Sequence, residues 1–351
     1  MTPFDSVCFI SARNLGDAVA HADFLRRLQL AGFASRWIVW TFSQAAFLFE
    51  NLPNCKIVCS DFPIGSTGRS FLKGGFRSFL KAVHQLRKLK PNATLDIIGD
   101  YRERLACLLL GAPLNLSPEW ETGHPFRHHI RVLPFKSGRP LTVPMTELNL
   151  YAAHDRMLRT LVPEASSKPG LPVRDSLREG QALNIGIHPS ASAPFKLWPH
   201  AHWARLIDLL SERFPGSRFT LFGAPSERAR LEHMAASIQP PHEIFTASLR
   251  EFRQRLAETD LLVGLDSFSV HLAHSQGVPS VVLVGANDPR IFTPPSARAV
   301  THPGRCEYQP CGGRPKCLAT DFEFSCMTSI EPLEALAAVP VVLHQRAKNA
   351  R

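Results

Sequence analysis

Apolar and polar positions along the chain alternate between two rhythms. Short apolar runs bounded by turn residues read as buried strands, and stretches with apolar residues every three or four positions read as helices. The run 6–10 is a strand, and after a turn-like segment comes a helix with Ala18, Val19, Ala22, Leu25 and Leu28 on one side. Residues 36–42 and 95–100 are further strands, and 102–110 is a helix closed by Gly111. The rhythm restarts with strand 183–188 and helix 200–214, on which Trp203, Leu206, Ile207 and Leu210 share a stripe. Strand 218–223, helices 226–235 and 251–258, strand 260–266, a helix stopped by Gly277, and strand 279–285 follow. The last apolar stretch, 331–346, has a helical pattern, with a break expected at Pro340. Such alternation predicts an α/β chain with mostly parallel sheets covered on both faces.

The 351 residues suit two domains. Residues 163–182, rich in Pro, Ser, Gly and mixed charge, are the best linker segment. The expected division is an N-terminal Rossmann-like domain over 1–165, a linker over 166–182 and a C-terminal Rossmann-like domain over 183–351. Residues 111–145 show weak periodicity and read as loops and short pieces around a cleft. Hydrophobic residues make up 44% and charged residues 20%, which excludes global disorder. No apolar run reaches the roughly 20 residues of a spanning helix, and the N-terminus lacks a secretory pattern, so a cytoplasmic protein is expected. Forty Lys and Arg against thirty Asp and Glu give a net charge of +10. That excess favours an anionic partner, a phosphorylated substrate or anionic lipid surface, or a merely basic surface. No zinc-finger or RNA-reading signature accompanies it, so a nucleic-acid partner is not expected.

Several segments carry candidate chemistry. Asn14-Leu15-Gly16-Asp17 lies at the carboxyl end of the first strand, the edge where doubly wound sheets bind ligands. Gly16 admits close backbone approach, and Asp17 is either a cleft carboxylate or a plain helix cap. The segment 188–199 ends a strand in small polar residues, Ser190 and Ser192 among them, and then presents Lys196. Free N–H groups, hydroxyls and one ammonium together suit an anion. Residues 265–271 join a buried strand to a helix, whose N-terminus is a natural diphosphate site beside Asp266, Ser267, Phe268 and Ser269. Capping alone would also explain Asp266 and Ser267, and His271 inside the helix has a structural reading. Glu227 opens another helix at a strand end, where it accepts ribose hydroxyls or merely complements the helix dipole.

Two further segments stand apart. Cys306, Cys311, Cys317 and Cys326 cluster within the tail 306–326, and four thiolates suit tetrahedral zinc or iron, with free thiols or a reversible disulfide as the plain alternatives. Cys8, Cys55, Cys59 and Cys107 lie in apolar segments and are expected to be buried. Residues 69–90 form a basic amphipathic pattern broken at Gly74-Gly75. Arg69, Lys73, Arg77 and Lys81 there would touch an anionic leaflet or a phosphorylated acceptor, unless they are an ordinary solvated face.

The order and spacing of NLGD, GIHPSASAPFKLWP, FGAPSE, DLLVGLDSFSVHLAHSQGVPSVVLVGANDP and the Cys-rich tail resemble glycosyltransferase family 9, the ADP-heptose:lipopolysaccharide heptosyltransferases. The likeness covers the NLGD motif and nearly all of 183–335, and is poor over 30–180. It implies a GT-B fold, two Rossmann-like domains facing across a cleft, and an inverting transfer from a nucleotide-sugar donor that needs no metal for catalysis. It maps the general base to Asp17 and the leaving-group cation to Lys196. Donor contacts map to Ser190, Glu227, Asp266, Ser267 and His271. Phe268 stands where the family usually has Gly, which puts the donor sugar itself in question. Some relatives bind iron through four cysteines in a segment that supports oligomers. The acceptor expected is a lipopolysaccharide core or other anionic glycolipid, glycan or protein, met at the inner face of the cytoplasmic membrane. A sugar-nucleotide epimerase, or a non-catalytic member that binds nucleotide sugar or assembles through the tail, is the alternative.

Overall fold

A computed structural model of the chain describes residues 4–121, 123–125, 139–163, 181–304, 306–312 and 314–349. The chain divides into two compact units, Met1–Gly170 and Leu171–Arg351. The expected linker over 166–182 falls almost wholly outside the described residues.

The first unit runs β1 (Phe4–Ser11), α1 (Leu15–Leu30), β2 (Ala34–Thr41), β3 (Cys55–Cys59), α2 (Gly68–Ser70), α3 (Phe76–Lys88), β4 (Ala93–Asp96), α4 (Tyr101–Leu110), β5 (Leu114–Trp120), β6 (Arg139–Met145) and α5 (Leu150–Leu161). Its six strands are parallel in the order β3-β2-β1-β4-β5-β6. The second runs β7 (Asn184–His188), α6 (His200–Arg213), β8 (Arg218–Gly223), α7 (Arg228–Ala235), β9 (His242–Thr246), α8 (Leu249–Leu256), β10 (Leu261–Leu265), α9 (Phe268–Ser275), β11 (Ser280–Leu283), α10 (Pro289–Phe292), β12 (Ala297–Val300), α11 (Ser325–Thr328) and α12 (Pro332–Asn349). Its parallel order, β12-β11-β10-β7-β8-β9, is the same winding over again. In each sheet the strand order reverses beside the first strand, at β1/β4 and at β7/β10. A crevice opens there at the carboxyl ends, the general ligand position of such sheets.

Burial explains why these runs are strands and helices. Every residue of β10 is buried, as a central strand covered on both faces requires. Ala18, Val19, Ala22, Leu25 and Leu28 all face the core from α1. On α6 the stripe Trp203, Leu206, Ile207 and Leu210 does the same. Gly111 ends α4 at φ 69°, a left-handed position that favours glycine.

Four expectations need correction. Residues 97–100 are not strand: Asp96 Oδ1 accepts from the N–H groups of Ile98 (2.8 Å) and Gly99 (3.0 Å), and this local turn ends β4. Residues 111–145 hold β5 and β6, whose Pro-containing sequences hide the strand pattern. Cys8 and Cys107 are buried, but Cys55 is half-buried and Cys59 exposed, because β3 is an edge strand with alternating faces. Pro340 does not break the last helix, which continues to Asn349. The proline is exposed, while Ala335, Ala338, Val339 and Val342 anchor the helix in the core of the second unit.

Candidate functional site

In the first unit, Asn14 caps α1, with Gly16 and Asp17 in the first turn. Asp17 Oδ2 accepts from the Asn14 backbone N–H and from Asn14 Nδ2, each at 3.3 Å, and lies 3.9 Å from Arg13 Nε. Asn14, not Asp17, is thus the N-cap of α1, and Asp17 is the residue at N3 that reaches back to the cap amide through one oxygen. Its other oxygen, Oδ1, has no partner among the described residues. Arg13 Nη1 lies 3.7 Å from Asp100 Oδ2. Asp100 sits beyond β4 as the N-cap of α4, so the two strands at the reversal each contribute a carboxylate. Glu103, in the first turn of α4, is 1% exposed, and neither carboxylate oxygen has a hydrogen bond among the described residues. Burial pushes its carboxyl well above the ordinary carboxylate range, Asp96, Asp100 and Asp17 add to the rise, and Arg13 opposes it.

A loop pins this motif from outside. The Ser66 N–H donates to the Arg13 carbonyl at 2.8 Å, and Ser66 Oγ bonds Asn14 Oδ1 at 3.2 Å. Gly65 lies against the same carbonyl at φ 64°, so close that a Cβ in its place would collide with the oxygen. From this loop the basic segment runs through a π-type turn at Phe71–Gly75, where Gly74 has φ 119°, into α3. The expected break is there. Phe79 turns inward against Phe62 and Trp40, and half-buried Phe71 packs edge-on against Phe79. Leu72, Phe76 and Leu80 form an exposed ridge, and Arg69, Lys73, Arg77 and Lys81 are all exposed around it.

In the second unit, β7 and β10 deliver the other set. Lys196 Nζ donates to Asp266 Oδ2 at 2.8 Å and to the Asp266 carbonyl at 3.1 Å. Asn287 Nδ2 donates to the same carboxylate oxygen at 2.5 Å. Burial alone would raise the Asp266 pKa, but Lys196, Asn287 and His271 outweigh it and hold the carboxyl below its usual value. Ser267 Oγ bonds Ser269 Oγ at 2.9 Å and approaches His188 Nδ1 at 3.5 Å. His188 is pushed down to about 4 by burial and is neutral. His271 lines a small recess with Asp266, Ser267, Asn287 and Asp288. Ser190 is buried, and its Oγ accepts from Arg230 Nη2, which also donates to Glu227 Oε1 at 3.0 Å. Ser192 is exposed and makes no hydrogen bond among the described residues. Phe268 begins α9 with its ring edge-on to His188 (5.9 Å) and 5.5 Å from Phe252, so it packs into an aromatic cluster.

Sequence reasoning missed Arg13, Asp100, Arg230 and Asn287. Arg230 had a signal, since it follows Glu227 at i,i+3 on a helix start. Arg13 adjoins the motif, but its partner Asp100 lies far along the chain.

The four tail cysteines line one small recess with Phe195, Tyr308 and Phe324. Cys326 is pushed up to about 11 by burial, reinforced by the other three thiols. Among the described residues no group of three or more His, Cys, Asp or Glu is arranged as a metal-holding set. The donor chemistry and the shared cavity fit a tetrahedral thiolate ion; the arrangement of the thiols does not yet form its shell.

The family described as glycosyltransferase family 9 (heptosyltransferase) matches residues 134–319, a little over half of the chain. Lipopolysaccharide heptosyltransferase 2 of Escherichia coli (strain K12) is 25% identical over 234 residues, 61% of this chain and 65% of that protein. Lipopolysaccharide heptosyltransferase 1 of Salmonella typhimurium is 34% identical over 98 residues, 28% of this chain and 30% of that protein. The matched stretches thus span less than two thirds of these relatives. The glycosyl transferase family 9 structure from Veillonella parvula superposes with a TM-score of 0.70 at 16% identity, covering 98% of both chains. E. coli heptosyltransferase WaaC with ADP gives 0.67 at 16%, covering 97% of this chain and 100% of that one. The iron-containing dodecameric glycosyltransferase TibC from enterotoxigenic E. coli gives 0.55 at 14%, covering 98% and 80%. The fold is of the GT-B kind, built from two Rossmann-like domains. No helix among the described residues is long and apolar enough to cross a membrane.

Proposed function

The chain belongs to glycosyltransferase family 9, and on that premise we propose that it transfers a heptose-like sugar, with inversion, from a nucleoside diphosphate donor to a cell-envelope acceptor. The observation that carries the reading is the Lys196–Asp266 pair at the β7/β10 reversal, flanked by Ser190, Ser267 and the start of α9. Asp266, itself steadied by Asn287, holds the ammonium where a diphosphate would lie, and Glu227 with Arg230 offers contacts to ribose or phosphate. His271 lines the donor recess. Ser192, being exposed, is free to meet phosphate, and Gly16 leaves room beside Asp17. WaaC was solved with ADP, which makes ADP-heptose the first donor to test. Phe268 is the residue expected to set which sugar is accepted.

Chemically, the acceptor hydroxyl attacks the anomeric carbon as its proton passes to Asp17 Oδ1, the oxygen left open by the cap bonds. The carbon–oxygen bond to the diphosphate breaks, and the charge gained by the leaving group is met by Lys196 and helix-terminal N–H groups. In this reading the N-terminal domain (1–165) binds acceptor and the C-terminal domain (183–351) binds donor. The ridge Leu72, Phe76 and Leu80 with its four cations supports peripheral contact with the inner face of the cytoplasmic membrane, where a lipid-linked core would be found.

The four cysteines would hold a structural iron or zinc ion, which takes no part in the transfer. TibC is iron-containing and dodecameric, so an oligomer is part of the same proposal. The test is release of ADP from ADP-heptose with a lipopolysaccharide-core acceptor, wild type against Asp17→Asn. Loss of turnover in the variant is expected. An isomerised free nucleotide sugar would point to an epimerase, and tight donor binding without turnover on any acceptor would point to a non-catalytic protein.

A further inference from the structure

Two hydrogen bonds and one ion pair converge on a single Asp17 oxygen. Asn14 N–H and Asn14 Nδ2 reach Oδ2 at 3.3 Å, and Arg13 Nε stands 3.9 Å from it. The carboxylate is thereby turned so that Oδ1 is the oxygen left for an incoming proton. Of the three, only Arg13 brings charge, and its side chain is 13% exposed, so its field is little screened. Its far end lies 3.7 Å from Asp100, whose side chain is fully buried. Asp100 is fixed in turn: it accepts from the Arg102 backbone N–H (3.0 Å), Arg102 Nε (2.8 Å) and Arg102 Nη2 (2.9 Å). Arg13 therefore bridges the two lips of the crevice, from the turn after β1 to the turn after β4.

We propose that Arg13 and Asp100 are positioning residues for the base, with Arg13 holding Asp17 turned with Oδ1 outward, and Asp100 anchoring Arg13. This rests on Asp17 being the base. The charged and titratable groups around the pair come from every packed element. Asp96 ends β4, Asp100 caps α4 and Glu103 lies in its first turn, where burial with Asp96, Asp100 and Asp17 raises its carboxyl well above the ordinary range against the pull of Arg13. Tyr151 of α5 senses Asp17, and its phenol is raised well above its ordinary range, chiefly by burial. His21 of α1 senses Arg13 and is held neutral, chiefly by burial. Arg13 is the cation of the set placed against Asp17.

The test is the split between kcat and donor KM, read as ADP release from ADP-heptose with a lipopolysaccharide-core acceptor. Arg13→Gln is expected to lower kcat at least tenfold at unchanged donor KM. Arg13→Lys, which keeps the charge but not the planar fork, is expected to recover part of kcat. Asp100→Asn is expected to lower kcat about tenfold with donor KM unchanged. Folding of each variant is read from Tm, and if Arg13→Gln does not fold, the Lys and Asn variants decide. A wild-type kcat in folded Arg13→Gln or in Asp100→Asn, or a loss carried wholly by donor KM, overturns the inference. If Asp17→Asn keeps wild-type turnover, the base assignment falls, and this inference with it. An inactive Asp17→Asn beside wild-type kcat in Arg13→Gln overturns the positioning role alone.

Discussion

Replacing Lys196 by alanine separates two effects that the structure places on one ammonium group. Nζ is 2.8 Å from Asp266 Oδ2, with the two side chains 18% and 16% exposed. A surface pair of this kind contributes about 0–1 kcal/mol, and removing one partner from a fully buried pair costs about 3–5 kcal/mol. The intermediate burial puts the cost of Lys196→Ala at roughly 2 kcal/mol, or about 5 °C in Tm for a unit of this size. Asn287 would still donate to the stranded carboxylate, which keeps the loss below the buried limit. Adding Asp266→Ala removes that stranded charge and is expected to restore most of the Tm. Turnover is a different matter. Removing one preorganised group aimed at developing charge costs about 10²–10³ in rate, or about 3–4 kcal/mol. The double variant should therefore regain stability and stay slow. The assay is ADP release at saturating donor, with donor affinity by calorimetry and Tm measured on the same preparations. A kcat for Lys196→Ala within threefold of wild type would refute the leaving-group role. A Tm loss that Asp266→Ala does not relieve would refute the pairing argument.

Gly32 and Gly65 share a left-handed φ near 65°, but a Cβ added at Gly32 would meet nothing within 4 Å, whereas one at Gly65 meets the Arg13 carbonyl. Gly32→Ala should cost about 1 kcal/mol, and Gly65→Ala distinctly more together with a loss of turnover; equal Tm changes would contradict the clamp. Burial holds His154 and His274 at about 3 and His188 at about 4, all below the unfolded value near 6.5. The native state thus binds fewer protons, and stability is present above pH ~6.5 and lost as pH falls toward ~4, by ~1.4 kcal/mol per pH unit for each group. Glu103 and Asp96, raised chiefly by burial, act in the opposite sense, losing their contribution as pH rises through their folded values. A Tm that is level from pH 7 to 5 would count against the buried-imidazole account. Cosedimentation with anionic vesicles should weaken at all salt concentrations when Leu72, Phe76 and Leu80 become Ser, and only at low salt when Arg69, Lys73, Arg77 and Lys81 become Ala, about 1 kcal/mol per cation; wild-type binding by both variants would remove the membrane role. Elemental analysis is expected to find about one iron or zinc per chain, lost in Cys317→Ser and Cys326→Ser; metal-free protein with all eight thiols reactive on denaturation would exclude the ion.

Where one stretch of sequence settles its own structure, the reading from sequence was close. The stripes of α1 and α6 and the buried run of β10 each carry their periodicity within a few residues. β5 and β6 escaped because Pro118, Pro140 and Pro144 mask the strand pattern, and what makes them strands is pairing with each other and with β4. Cys59 was misjudged because exposure on an edge strand depends on strand order, which local pattern does not carry. At the candidate site the same division appears. Lys196 and Asp266 were legible as separate motif members, and the structure adds that they touch across 70 positions of sequence. Asn287 and Asp100 were invisible because their importance comes only from which strand ends lie side by side.

The contact of Gly65 and Ser66 with the Arg13 carbonyl has a consequence for how this protein can change over generations. Two stretches some fifty residues apart must keep step in length, since an insertion between Ser60 and Gly65 would lift the loop off the turn that carries Asp17. The clamp thus fixes the length of 60–65 whatever side chains stand there, and lineages that vary this stretch should do so by exchanging side chains rather than by adding residues.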